Sequence, residues 1–143
     1  MKNVAVLLCL GVFLTVSCEK SENVNAELDG NYYGFFTVEY FMDMREGWSS
    51  SGTITLELKK GKYIYNSDVP PMSCSGNYSI SNGKIIFEYD PGPFHPDLYL
   101  APPYYDVNLI LNREYDYTLD GKRLKFSKSE IHEGYYEYQL EKK

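Results

Sequence analysis

Two histidines, three cysteines and a run of serines are the residues of this chain best equipped for chemistry, and their spacing decides whether they are armed. His95 and His132, with Asp97, Asp106 and Glu133, have the donor types for a metal. No i,i+4 pair or Cys/His spacing joins them into a ligand set, so no metal and no cofactor is expected. Ser49-Ser50-Ser51 lacks the G-x-S-x-G elbow that presents a nucleophile and reads as a flexible loop. Nothing has the pattern of a phosphate-cradling glycine loop. The chain is expected not to be an enzyme.

The cysteines point to attachment instead. Met1-Lys2-Asn3 is a short basic start, and Val4–Val16 is an apolar run too short to span a bilayer as a helix. Ser17-Cys18-Glu19 follows. This order looks like a bacterial lipoprotein signal, cleaved before Cys18, whose sulfur then carries a diacylglycerol. An ordinary secretory signal cut near Ser17 is the alternative. Cys9 leaves with the signal, so an acylated Cys18 leaves Cys74 as a single thiol with no intrachain partner. A Cys18–Cys74 bridge is the competing assignment. Residues 1–17 are thus read as signal, 18–29 as acylated cysteine and polar tether, and 30–143 as one domain. Acidic residues outnumber basic ones, 20 to 14, which argues against a nucleic-acid partner. Membrane attachment comes from the lipid on Cys18, at an outer membrane or cell surface, with the domain in the periplasm or outside the cell.

Long helical periodicity is absent, and short alternating segments separated by turn residues dominate. In residues 74–90, Asn82-Gly83 is a type I′ signal that sets Ile80 opposite Ile85 and Tyr78 opposite Phe87. Lys60-Gly61 sets Leu58 opposite Tyr63 and Leu56 opposite Tyr65, although lysine resists positive φ. Asp120-Gly121 sets Tyr117 opposite Leu124 and Tyr115 opposite Phe126, with Asp116 across from Lys125. Eight strands follow, at 31–41, 52–60, 62–67, 73–81, 84–89, 110–119, 122–128 and 134–142. The predicted fold is all-β, an eight-stranded antiparallel up-and-down barrel, with a two-sheet sandwich as the alternative.

Strand parity then sorts the connections. The tight turns fall at one end, where the tether enters, and the long connections fall at the other, facing away from the membrane. That loop-rich mouth collects Trp48, Met72, Phe94, Tyr99, Tyr104 and Tyr105, with Met42, Met44, Pro70 and Pro71 beside them. So many large apolar groups mark ligand or partner contact, or a loop folded over the barrel end. Residues 90–108 hold five of the seven prolines, which restrict a long connection, so this segment is a lid or a plug. The inner face is rich in tyrosine, Tyr115 and Tyr117 included, and buried hydroxyls need partners that a wet cavity supplies. The competing expectation is that rings fill a short barrel. Arg113 points inward, toward an anionic ligand, if strand 6 runs unbroken from Val107. A bulge at Asn112-Arg113 would turn it outward.

Leu28-Asp29-Gly30-Asn31-Tyr32, Gly76-Asn77-Tyr78-Ser79-Ile80 with Gly83-Lys84-Ile85-Ile86-Phe87, Glu114–Gly121 and Tyr138-Gln139-Leu140 together resemble a family. It is that of the lipocalin-like lipoproteins, small calycin-type β-barrels of Gram-negative gut anaerobes. Where lipocalins proper carry Gly-x-Trp and a late basic residue at the barrel floor, this chain has Gly30-Asn31-Tyr32, then Lys142 and Lys143. The resemblance implies a barrel and supplies no catalytic residues. The expected function is a lipid-anchored protein binding a small apolar, aromatic or glycan-like ligand at the mouth. A protein-interaction module using the same loops is the alternative.

Overall fold

In every strand, side chains turned into the interior alternate with more exposed ones, and this period of two runs round a sheet that closes on itself. The computed structural model describes residues 26–41, 49–69, 73–91, 107–131 and 134–143. Eight strands run β1 (Gly30–Tyr40), β2 (Ser49–Lys59), β3 (Lys62–Ser67), β4 (Ser73–Ser81), β5 (Lys84–Tyr89), β6 (Arg113–Asp120), β7 (Arg123–Glu130) and β8 (Gly134–Lys142). Each pairs antiparallel with its sequence neighbour, and β8 returns to β1, giving a closed up-and-down barrel. Closure leaves no unpaired edge strand, which is why the barrel prevails over an open sandwich. At the β1–β8 seam the strands approach closely at Gly34, where a Cβ would sit 2.0 Å from the Gln139 carbonyl oxygen.

The turns follow their residues. Asn82 and Gly83 adopt φ of 52° and 75°, a type I′ turn that sets Ile80 opposite Ile85 and Tyr78 opposite Phe87. Lys60 accepts φ 49° before Gly61, and Leu58 faces Tyr63 as expected. The strain at Lys60 is offset by Asp29, whose carboxylate accepts the Lys60 N–H at 3.0 and 3.1 Å. The third hairpin corrects the expected register. Asp120 pairs with Arg123, so Gly121-Lys122 forms the turn, with Gly121 at φ 58°. Tyr117 therefore faces Phe126, and Leu119 faces Leu124. Asp116 lies opposite Ser127 and bonds Lys84, while Lys125 bonds Glu137.

The barrel's middle is solid. Phe126 and Tyr138 stack at 4.5 Å, and Tyr115 meets Phe126 edge-on at 5.4 Å. Phe87 bridges Tyr63 and Phe126 at 5.0 and 5.6 Å. All five rings are buried, so aromatic volume fills the bore here, as an eight-stranded barrel permits.

The tight-turn end is sealed by the chain that enters there. A helical turn at residues 26–28 lowers Leu28 into the barrel, where it is buried, and the Tyr32 hydroxyl donates to the Leu28 carbonyl at 2.8 Å. Asp29 also accepts the Tyr78 hydroxyl at 2.6 Å. Lys142 reaches back over the Tyr32 ring at 5.8 Å. This end is the floor.

At the mouth, strand 6 begins three residues later than its alternation suggests. A 3₁₀ turn at Val107–Leu109 is followed by Leu111, and both leucines are buried. The Tyr63 hydroxyl donates to the Leu111 carbonyl at 2.5 Å, so strand β3 holds this segment across the bore. Residues 109–111 thus act as a plug. The rest of the proline-rich connection lies outside the described residues.

Candidate functional site

Near the mouth, the inward face of β7 changes character. Leu124 and Phe126 are buried and apolar, and the next inward residues are Lys128 and Glu130. Lys128 is the one charged residue among those described that is buried, with 5% of its side chain exposed. A buried ammonium is costly unless it is paired. Its Nζ lies 3.2 Å from Glu130 Oε1, and 5.4 and 5.0 Å from the ring centres of Tyr115 and Tyr136. The rings come from the mouth ends of β6 and β8, on either side of β7. Their negative faces compensate part of the desolvation of the ammonium.

Glu130 is shared. Its other oxygen, Oε2, accepts from Arg113 Nη1 at 2.8 Å. Arg113 has φ 146° and a side chain 62% exposed, so the guanidinium approaches from the rim. In the ladder Arg113 lies opposite the inward-facing Phe87, so it keeps the inward phase of Tyr115 while its guanidinium stands exposed at the rim. The chain folds inward at Leu109 and Leu111, Asn112 Oδ1 caps the Tyr89 N–H at 3.2 Å, and the ladder restarts at Arg113 opposite Phe87.

Beside the cluster, Tyr115 is fully buried, and its hydroxyl has no hydrogen-bond partner among the described residues. Burial holds its pKa well above the ordinary tyrosine value, reinforced by Cys74, Tyr65 and Glu130 and opposed by Arg113. The hydroxyl is therefore a neutral donor at any physiological pH. Burial likewise pushes the Cys74 thiol up to about 11, against hydrogen bonds from the Leu111 backbone and Tyr63 that favour the thiolate. Such a thiol is a poor nucleophile at neutral pH.

Of the residues expected to form the site, Tyr115 is brought to the mouth cluster and Arg113 joins it at the rim through Glu130. Tyr117 is not part of it. That residue points toward the floor and lines a surface pocket with Glu27 and Leu28. Trp48, Met72, Phe94, Tyr99, Tyr104 and Tyr105 lie outside the described residues, as do Cys18, His95, His132, Asp97, Asp106 and Glu133. Among the described residues no three metal-ligating side chains converge, and no helix is long and apolar enough to cross a membrane. Sequence reasoning missed Lys128 and Glu130. Their signal was present, since both continue the inward phase of Leu124 and Phe126 on a strand that extends two residues beyond its expected end.

A second feature is on the outer wall. Tyr33 and Phe35, each about half exposed, border an open groove of about 540 Å³ whose rim includes Arg123, Lys125, Gln139 and Glu141. Comparisons with protein-family models, curated proteins and solved structures find no match.

Proposed function

We propose that the protein is a lipid-anchored, non-catalytic binding protein of the outer membrane or cell surface, taking a small apolar, aromatic or glycan-like ligand at its loop-rich mouth. One observation carries this reading. The buried, paired Lys128 and the Tyr115 hydroxyl, which has no partner among the described residues, lie at the mouth, while the floor is closed by Leu28 and its hydrogen-bonded neighbours. A buried hydroxyl with no acceptor among the described residues, set beside a buried charge in an otherwise apolar interior, is a common mark of a place where something binds. The closed barrel is compatible with the lipocalin-like assignment, while Tyr32 and Lys142 at the floor depart from the Gly-x-Trp pattern of lipocalins proper.

The aromatic packing below Tyr115 confines the ligand to the mouth. That filled interior also favours a second reading, a protein-interaction module acting as inhibitor or accessory subunit. Native mass spectrometry of the protein purified from its membrane separates the two. A retained small molecule is the expected result. Repeated recovery of the empty chain, with a stoichiometric protein partner, would replace the first reading with the second.

A further inference from the structure

Charge is divided along the barrel axis. At the floor, the β2–β3 turn holds Lys59, Lys60 and Lys62, the β4–β5 turn holds Lys84, and the β6–β7 turn holds Lys122 and Arg123 beside Asp120. Strand β8 ends there with Glu141, Lys142 and Lys143, and the entering chain adds Glu27 and Asp29. Eight basic residues thus meet four acidic ones, and Asp29 is engaged by the Lys60 N–H and the Tyr78 hydroxyl. At the mouth ends of the strands the balance reverses. Among the described residues, Arg113 and Lys128 there stand against Glu39, Asp68, Glu88, Asp90, Glu114 and Glu130. The net charge of −6 therefore conceals a basic pole.

We propose that the floor is a docking surface for a membrane of anionic phosphate headgroups, on which the barrel stands with its mouth turned away from the bilayer. Position selects lipid as the partner. The chain enters the barrel at the floor, so the tether of the proposed anchor brings this end to the membrane. The tether sequence adds Glu19 and Glu22 against Lys20, which leaves the surplus positive. Six of the eight basic residues are exposed, while Lys84 is tied to Asp116 and Lys142 lies over the Tyr32 ring. Backbone bonds hold the turns in place: the Lys142 N–H donates to the Lys122 carbonyl and the Tyr78 N–H to the Gly61 carbonyl, both at 2.8 Å. The cations therefore sit on a preformed rim, and each one near an anionic bilayer strengthens binding about fivefold. Tyr33 stands on the same rim, level with Glu141 and Arg123, about half exposed and with Lys143 Nζ 5.3 Å from its ring centre. An amphipathic ring beside a cation suits the boundary between headgroups and water.

The orientation rests on the anchor reading, whereas the charge contact can be measured without the lipid. The chain from residue 18 with Cys18→Ser keeps every described residue and carries no acyl group. Its co-sedimentation is followed with vesicles of phosphatidylcholine alone and of equimolar phosphatidylglycerol and phosphatidylcholine. The expected result is at least about tenfold stronger partitioning onto the anionic vesicles, lost when NaCl rises from about 0.05 M to about 0.5 M. Two pairs of exposed substitutions lower the net charge equally at opposite ends. Lys59→Gln with Lys122→Gln at the floor should weaken partitioning at least about tenfold, and Ser73→Glu with Ser129→Glu at the mouth should change it less than about threefold. No preference for anionic vesicles, or equal losses from the two pairs, overturns the docking surface. Tighter binding to a short DNA duplex than to the vesicles at equal phosphate makes nucleic acid the partner and also overturns it. Each of these outcomes leaves the anchor reading standing, because that reading fails on a separate measurement: an unmodified Cys18 in the mass spectrum of the protein purified from its membrane.

Discussion

At the floor of the barrel the chain answers its own polar groups. Asp29 takes the Lys60 N–H and the Tyr78 hydroxyl, Tyr32 finds the Leu28 carbonyl, and Leu28 fills the space between. At the mouth the accounts do not balance in the same way. Lys128 is buried, Glu130 is divided between two cations, Arg113 is held with φ at 146°, and the Tyr115 hydroxyl lacks a partner among the described residues. The same strands make both ends, so the difference lies in which side chains the alternation delivers. The floor pairs its polar groups within the chain around Leu28, whereas the mouth concentrates charge in a buried cluster, which the proposed binding there would use.

Leu28→Ala tests the floor with the largest expected effect. Truncating a fully buried leucine costs about 2–4 kcal/mol, by lost transfer and the cavity left behind, and a urea denaturation curve measures it. A loss below about 0.5 kcal/mol would show that the floor is an ornament.

Alkaline pH is the second way to sharpen the comparison, because the mouth half of the bore holds Cys74, Tyr63, Tyr65 and Tyr115. Burial raises the pKa of all four. A raised folded-state value stabilises the fold fully below the unfolded pKa and loses that contribution as pH climbs through the folded one. For Cys74 the window runs from 9.0 to about 11. Stability should fall across that window, and the thiol should resist 5,5′-dithiobis(2-nitrobenzoate) at pH 8 until the protein unfolds. Rapid labelling of the folded chain at pH 8 would contradict the burial argument.

The smallest expected effect is on the outer wall. Lys84 and Asp116 bond at 2.9 Å across exposed faces of β5 and β6, where solvent and salt screen the pair. Asp116→Asn should leave the urea midpoint unchanged within error.

Much of this asymmetry was legible in the sequence. Asn82-Gly83 and Lys60-Gly61 set their registers because two positive-φ residues fit only one turn position, and strand parity then separated a floor from a mouth. The third hairpin was misplaced by two positions because Asp-Gly also satisfies a turn in which glycine comes first. With Gly121 in that place, Lys122 completes the turn and every partner shifts. Arg113 was ambiguous because alternation assumes a continuous strand, whereas Leu109 and Leu111 break it by folding into the bore. Lys128 was overlooked because a lysine near a strand end reads as solvent-facing, and only its phase with Leu124 and Phe126 places it inside.

The central claim is that the floor holds the fold and the mouth is built to bind. The most direct test compares urea denaturation of Asp29→Ala with that of Lys128→Met. Asp29→Ala removes the shared acceptor of the Lys60 N–H and the Tyr78 hydroxyl and should cost about 2–3 kcal/mol. Lys128→Met replaces an ammonium with an apolar chain of similar length, and Glu130 keeps Arg113, so the expected loss is under about 1 kcal/mol. The reverse order, with Lys128→Met the more damaging, would make the mouth cluster a structural clasp and contradict the account.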